Sequence, residues 1–210
     1  MKKILTIVVI VLLLAFGFYS IYKDKGGKST PNPLENSTKT SYYDEGVISF
    51  YYNSFFTARA EDNTPTSDWK LNAKQKGIIL ASVSVPREYM PSTNFSGAKL
   101  TVGRSADVNA IKSCTTADMP MKEITNYTVN VGGYPFTKIL SSDAGAGNFY
   151  ETTSYRGIVD GDCYVVEYTI HSTNIGNYSP DQGIKEFDKN MIVTDMENIV
   201  KSIKFLVNSD

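Results

Sequence analysis

The chain has 210 residues, of which 41% are hydrophobic and 20% are charged. This composition is typical of a folded protein with a hydrophobic core rather than a disordered chain. The net charge of −1 conceals an asymmetry, because residues 1–42 hold six lysines against two acidic residues, a net +4, which leaves about −5 for the remainder. Since a nucleic-acid-binding surface needs clustered Lys and Arg, we expect no nucleic-acid partner.

The N-terminal segment predicts a transmembrane helix. Two lysines precede residues 4–22, which carry no charged side chain. As a helix this run spans about 28 Å, close to the roughly 30 Å hydrocarbon core of a bilayer. We predict a signal anchor at residues 1–22 that makes the chain a single-pass protein of the cell membrane. Cleavage after Ala15-Phe16-Gly17 is the alternative, but apolar residues continue beyond that site.

Residues 23–42 are predicted to form a flexible linker, since they are rich in Gly, Pro, Ser, Thr and Asn. Lysines flank the predicted helix on both sides, so the positive-inside rule does not orient it. The remainder contains a pair of cysteines, which suits an oxidising compartment. We therefore predict that residues 43–210 form a domain outside the cytoplasm.

That domain begins with strand-and-turn patterns. Its segments rich in β-branched and aromatic residues predict strands: VISFYYNSFF, GIILASVSV, AKLTVGRS, EITNYTVNV, YPFTKILSS, NFYETTSYRGIV and CYVVEYTIHS. A short helix is predicted within DVNAIKSC. Asp160-Gly161, between two alternating runs, predicts a tight hairpin because a type I′ turn needs positive φ at both central positions.

The C-terminal stretch predicts an amphipathic helix followed by a short edge strand at KFLV. Apolar residues at three- and four-residue spacings define one helix face: Val193, Met196, Ile199, Val200 and Ile203. Thr194 and Glu197 have the spacing of a capping box. Antiparallel strands and packed helices together predict an α+β fold, an antiparallel sheet with helices packed on it.

The order of these elements resembles the PsbP-like family. The resemblance is carried by GVISFYYNSFF, VGGYPFTKI, YETTSYRGIVDGDCYVVEYTI and MENIVKSIKFL, and it extends over most of residues 45–207. It implies an exported or membrane-associated binding and assembly module with an antiparallel sheet between helices. The segments contain no functional motif, so the resemblance implies no site residue.

Cys163 and His171, the latter the single histidine, raise the question of a nucleophile and its base. On one strand they share a face, but eight residues separate them by roughly 26 Å. A nucleophile and its base must lie within hydrogen-bonding distance of about 3 Å, so strand geometry opposes a catalytic dyad. We instead predict that Cys114 and Cys163 form a disulfide, with two buried thiols as the alternative.

Other chemistries lack their usual signatures. Two cysteines and one histidine make an incomplete zinc set, the chain has no G-x-S-x-G elbow, and VGGYPF lacks the Lys and Ser/Thr of a phosphate-binding loop. We expect no catalytic, metal-binding or cofactor-binding residue.

We therefore predict a membrane-anchored extracytoplasmic binding or assembly module that is not an enzyme. Its expected partners are the membrane, through the N-terminal helix, and another envelope protein or a glycan, to which exposed tyrosines would be suited. The alternatives are an envelope enzyme that acts without a histidine base and a self-assembling surface scaffold.

Overall fold

A computed structural model describes residues 39–116 and 127–206. The predicted transmembrane helix, most of the predicted linker and residues 123–126 of the predicted strand EITNYTVNV lie outside these ranges. In the described ranges, no helix is long and apolar enough to cross a membrane.

Ten strands and two α-helices make up the regular structure of the described residues. The strands are β1 (Thr40–Asp44), β2 (Ile48–Asn53), β3 (Thr57–Ala60), β4 (Ile78–Val85), β5 (Phe95–Ser105), β6 (Thr128–Val131), β7 (Tyr134–Gly145), β8 (Asn148–Val159), β9 (Asp162–Thr173) and β10 (Lys204–Phe205). The helices are α1 (Val108–Lys112) and α2 (Lys189–Ser202), and short 3-10 turns occupy Arg87–Tyr89, Ile175–Asn177 and Pro180–Gln182.

The strands form two antiparallel sheets. The larger sheet has seven strands in the order β3-β4-β5-β9-β8-β7-β6, and the smaller has three in the order β1-β2-β10. At the centre of the larger sheet, β8 and β9 pair along their whole length, from Asn148 with Thr173 to Val159 with Asp162. The predicted turn joins them, with Asp160 at φ 48° and Gly161 at φ 82°.

The predicted α+β class is wrong, because the described chain is a predominantly antiparallel β fold. The long segment between β9 and α2 adds 3-10 turns rather than helix, and α1 has five residues. The central hairpins, in contrast, reach twelve residues per strand. β1 also begins at Thr40, so a strand occupies the last residues of the segment predicted as a linker.

Helix α2 begins earlier than the predicted capping box. Asp188 is the N-cap, and its side chain accepts a hydrogen bond from the Met191 backbone N–H at 3.1 Å. Thr194 therefore lies inside the helix and is not its N-cap. The predicted apolar face is present: Ile192, Met196, Ile199 and Val200 are buried.

The two faces of the seven-stranded sheet are covered by different parts of the chain. On one face, which we call the inner face, α2 and the three-stranded sheet close the main hydrophobic core. On the opposite, outer face a smaller cluster packs Trp69 and Ala110 against Cys114, Cys163 and Val165. This second cluster sits towards the β8–β9 turn, because Cys163 is near the start of β9.

Candidate functional site

The two cysteines are joined on the outer face of the larger sheet. Cys114 and Cys163 form the predicted disulfide with their Cα atoms 5.6 Å apart, and it ties the segment after α1 to the start of β9. Both residues are buried, at 1% and 0% exposure. The bridge therefore closes the smaller cluster and offers no reactive thiol.

His171 lies at the other end of β9. Its ring stacks on Tyr150 with centroids 4.5 Å apart and planes 14° from parallel. Its Nε2 donates to Asn148 Oδ1 at 2.8 Å. Along β5 the register partner of His171 is Gly97, whereas that of Cys163 is Ser105. The structure does not bring the cysteine and the histidine together, so no dyad forms.

The inner face carries a groove between α2 and strands β7 to β9. Its volume is about 460 Å³. We call it the α2 groove and define it by Lys138, Leu140, Ser142, Tyr168, Ile170 and Val193. A second hollow of about 380 Å³ adjoins it, lined in part by Phe149 and Phe187.

The two hollows share Glu151, Ile170 and Lys189. Lys189, the first residue of α2, forms an ion pair with Glu151 on β8. Both side chains are about half exposed, and an exposed ion pair of this kind is weak and exchangeable with other partners. The pair therefore crosses the junction of the hollows without closing them permanently.

One carboxylate of α2 accepts hydrogen bonds from three side chains at one end of the α2 groove. Oε1 of Glu197 accepts hydrogen bonds from Lys138 Nζ at 2.8 Å, Tyr155 OH at 2.5 Å and Tyr168 OH at 2.9 Å. Burial raises the pKa of Glu197, but these three bonds outweigh it and leave the pKa below its ordinary value. Burial and the Glu197 charge raise the pKa values of Tyr155 and Tyr168 well above the usual range. The cluster thus holds a fixed anion between fixed donors.

A second charged cluster lies beneath the outer face. Arg156 is fully buried and donates from Nε to Ser154 Oγ at 3.0 Å and from Nη1 to the Thr116 carbonyl at 3.1 Å. Its Nη2 is 3.9 Å from Glu167 Oε2, while Glu167 Oε1 accepts the Leu71 N–H at 2.9 Å. Burial raises the pKa of Glu167. These bonds fasten the loop around Leu71 and the segment after α1 to the sheet.

The sequence patterns predict no role for Arg156, Glu167, Glu197 or the α2 groove. Strand alternation could have paired Arg156 with Glu167, whereas Glu197 meets its tyrosines only through the packing of α2. Within the described ranges, no three Cys, His, Asp or Glu side chains come together as a metal site.

Comparisons with known proteins assign no family. No family model matches the chain, and no curated protein matches it. A crystal structure from Bacteroides thetaiotaomicron VPI-5482 is similar at a TM-score of 0.41 and 8% identity over 83% of this chain, which spans 50% of that protein's length. LpqN, involved in cell envelope biogenesis of Mycobacterium tuberculosis, is similar at a TM-score of 0.36 and 13% identity, over 79% of this chain and 90% of LpqN. Likenesses this remote carry no argument, and the resemblance to the PsbP-like family is not confirmed.

Proposed function

We propose that the chain is a membrane-anchored, extracytoplasmic binding module without catalytic activity. The disulfide supports the location, because disulfides persist in oxidising compartments and are rare where thiols are kept reduced. The charge-free N-terminal run supports the anchor.

The α2 groove is the observation that carries the binding role. It is concave, Leu140, Ile170 and Val193 give it an apolar lining, and Lys138 and Tyr168 add polar groups at one end. An apolar hollow with a few convergent polar groups is the usual form of a binding site. The bound component would be another envelope protein that inserts an apolar side chain between α2 and β7.

The chemistry beside the groove supports binding rather than catalysis. A general acid or base works best when its pKa lies near the working pH. The pKa of Glu197 is lowered from its ordinary value and those of Tyr155 and Tyr168 are raised, so each moves away from neutrality. The cluster would fix the position of Lys138 at the end of the groove rather than exchange protons with a partner.

Site-specific photo-crosslinking in the cells that make the protein tests this proposal. A photoreactive amino acid replaces Val193, which lines the groove, in the full-length chain. The matched control replaces Thr194, the next residue of α2, which is exposed. We expect a discrete adduct with an envelope component from position 193 and none from position 194. Equal labelling from both positions, or an adduct with a second copy of the chain, would contradict the proposal; the second result would support a self-assembling scaffold instead.

A further inference from the structure

The outer face of the seven-stranded sheet is covered at one end and open at the other. The segment that contains Trp69, together with α1, covers the end near the β8–β9 turn. At the opposite end, cross-strand neighbours on β5, β8 and β9 form an uncovered patch among the described residues. We call it the Tyr150 face and define it by Gly97, Lys99, Tyr150, Thr169 and His171.

An aromatic pair stands at the centre of this face. Tyr150 and His171 are register partners on β8 and β9 and stack at 4.5 Å. Tyr150 remains 37% exposed. The hydrogen bond from His171 Nε2 to Asn148 Oδ1 fixes the imidazole orientation. The pair is therefore a rigid platform with a solvent-accessible edge, which costs little conformational entropy to use in binding.

The strand beside His171 leaves space next to the ring. Gly97 faces His171 across the β5–β9 ladder and has φ of +146°, a conformation that favours glycine. A Cβ added there would approach only the Val85 carbonyl oxygen, at 3.3 Å. Among the described residues no side chain lies within 4 Å of that Cβ position, so the imidazole has space beside it on the β5 side.

Polar groups line the next row of the same face. Thr152 and Thr169 are register partners whose hydroxyl oxygens lie 2.8 Å apart, and Lys99 is the exposed partner of Thr169 on β5. Residues two apart on one strand face are about 6.6 Å apart, so this row lies one ring-width from Tyr150 and His171. Thr152 is buried, whereas Thr169 is partly exposed and its hydroxyl keeps acceptor capacity beyond the shared bond.

These groups fit a polyhydroxylated ring better than other ligands. A protein interface has a core enriched in aromatic residues, Met and Arg, whereas the groups near Tyr150 on this face are the Thr169 hydroxyl, the Asn148 amide and the Lys99 ammonium. The acidic balance of the folded part, about −5 beyond residue 42, opposes nucleic acid. A pyranose ring offers C–H groups to an aromatic surface and hydroxyls to the flanking donors and acceptors.

We propose that the Tyr150 face binds a pyranose glycan of the envelope, with a sugar ring packed on the Tyr150–His171 platform. Lys99 and Thr169 hydrogen-bond the ring hydroxyls. This face lies on the opposite side of the sheet from the α2 groove, so the site is independent of any partner bound there.

Because His171 is the single histidine, it gives one imidazole signal in a protein labelled with ¹⁵N at histidine. The full-length chain, in a zwitterionic detergent free of sugar, is titrated with tetra-N-acetylchitotetraose and with cellotetraose. We expect saturable shifts of the His171 signal with at least one of them. Tyr150→Ala should raise the dissociation constant, measured by calorimetry, by about tenfold or more, as expected for a residue at the centre of a binding site.

Tyr51→Ala is the matched control, because Tyr51 is also exposed, at 53%, but belongs to the three-stranded sheet. It should bind like the wild type, and Tyr150→Phe should retain most of the affinity since the ring remains. Urea unfolding of each variant checks that it folds. No shift of the His171 signal with either sugar at millimolar concentration would overturn the proposal, and so would equal affinities for folded Tyr150→Ala and the wild type.

Discussion

Removal of the Cys114–Cys163 disulfide tests how the outer face is held together. The bridge joins residues 49 positions apart in sequence. In the loop-closure model, a crosslink that closes about 50 residues removes roughly 14 cal/mol/K of entropy from the unfolded chain, which is about 4 kcal/mol at 25 °C. That is a large part of the 5 to 15 kcal/mol by which a typical domain is stable. For a domain of this size it corresponds to a fall in Tm of about 8 to 16 °C.

The single tryptophan reports on the same region. Trp69 is fully buried in the cluster that contains both cysteines. Urea unfolding of the full-length chain in micelles can therefore be followed by Trp69 fluorescence and by far-UV circular dichroism. We expect the Cys114→Ala/Cys163→Ala variant to lose about 4 kcal/mol of unfolding free energy, and reduction of the wild type to have a similar effect.

The same reductant should leave the double variant unchanged, since it has no disulfide to lose. A loss below about 1 kcal/mol would refute the loop-closure reasoning, because the bridge would then constrain an unfolded state that is already compact. A fluorescence transition well before the circular dichroism transition would refute the assumption that the cluster unfolds together with the sheet.

Three further predictions concern the packing around the sheet. Glu197→Gln should lower the free energy of unfolding at neutral pH, and this deficit should shrink on acidification. The folded-state pKa of Glu197 lies below its ordinary value, so the carboxylate stabilises the fold above about pH 4.3, the unfolded value, and this stability is lost as pH falls through the folded pKa. A deficit independent of pH would contradict the role of the Glu197 cluster. Gly103→Ala should destabilise by about 1 to 3 kcal/mol in urea unfolding, since its Cβ would overlap the Trp69 carbonyl oxygen, whereas Gly145→Ala, with open space, should change little. Ile192→Ala, at a fully buried position of α2, should cost about 2 to 5 kcal/mol, and a cost under 1 kcal/mol would place α2 off the sheet.

Much of the sheet follows from local sequence signals. The Asp160-Gly161 turn and its alternating flanks predict the β8–β9 hairpin that the structure contains. The apolar spacing of the C-terminal stretch predicts α2 and its buried face. In both elements the period of the apolar residues matches the geometry of the element, so no tertiary information was needed.

Features set by tertiary packing were not predictable. The strand β1 begins within a stretch whose composition favours a linker, because its stability comes from pairing with β2 and from the packing of Tyr43 on Phe50. The α+β prediction was wrong because strands predominate in the described chain, and of its two helices α1 has only five residues. The Glu197 cluster and the α2 groove depend on how α2 crosses the sheet, which no local pattern encodes.

A domain outside the cytoplasm should hold its two cysteines oxidised, so their redox state in the native protein reports directly on where the domain lies. Because Cys114 and Cys163 are buried, the native protein should be isolated under acid quench, unfolded and alkylated, and its intact mass measured with and without prior reduction. We expect no alkylation before reduction and two alkylated thiols after it. Two alkylated thiols without reduction would contradict both the disulfide and the placement of the domain outside the cytoplasm.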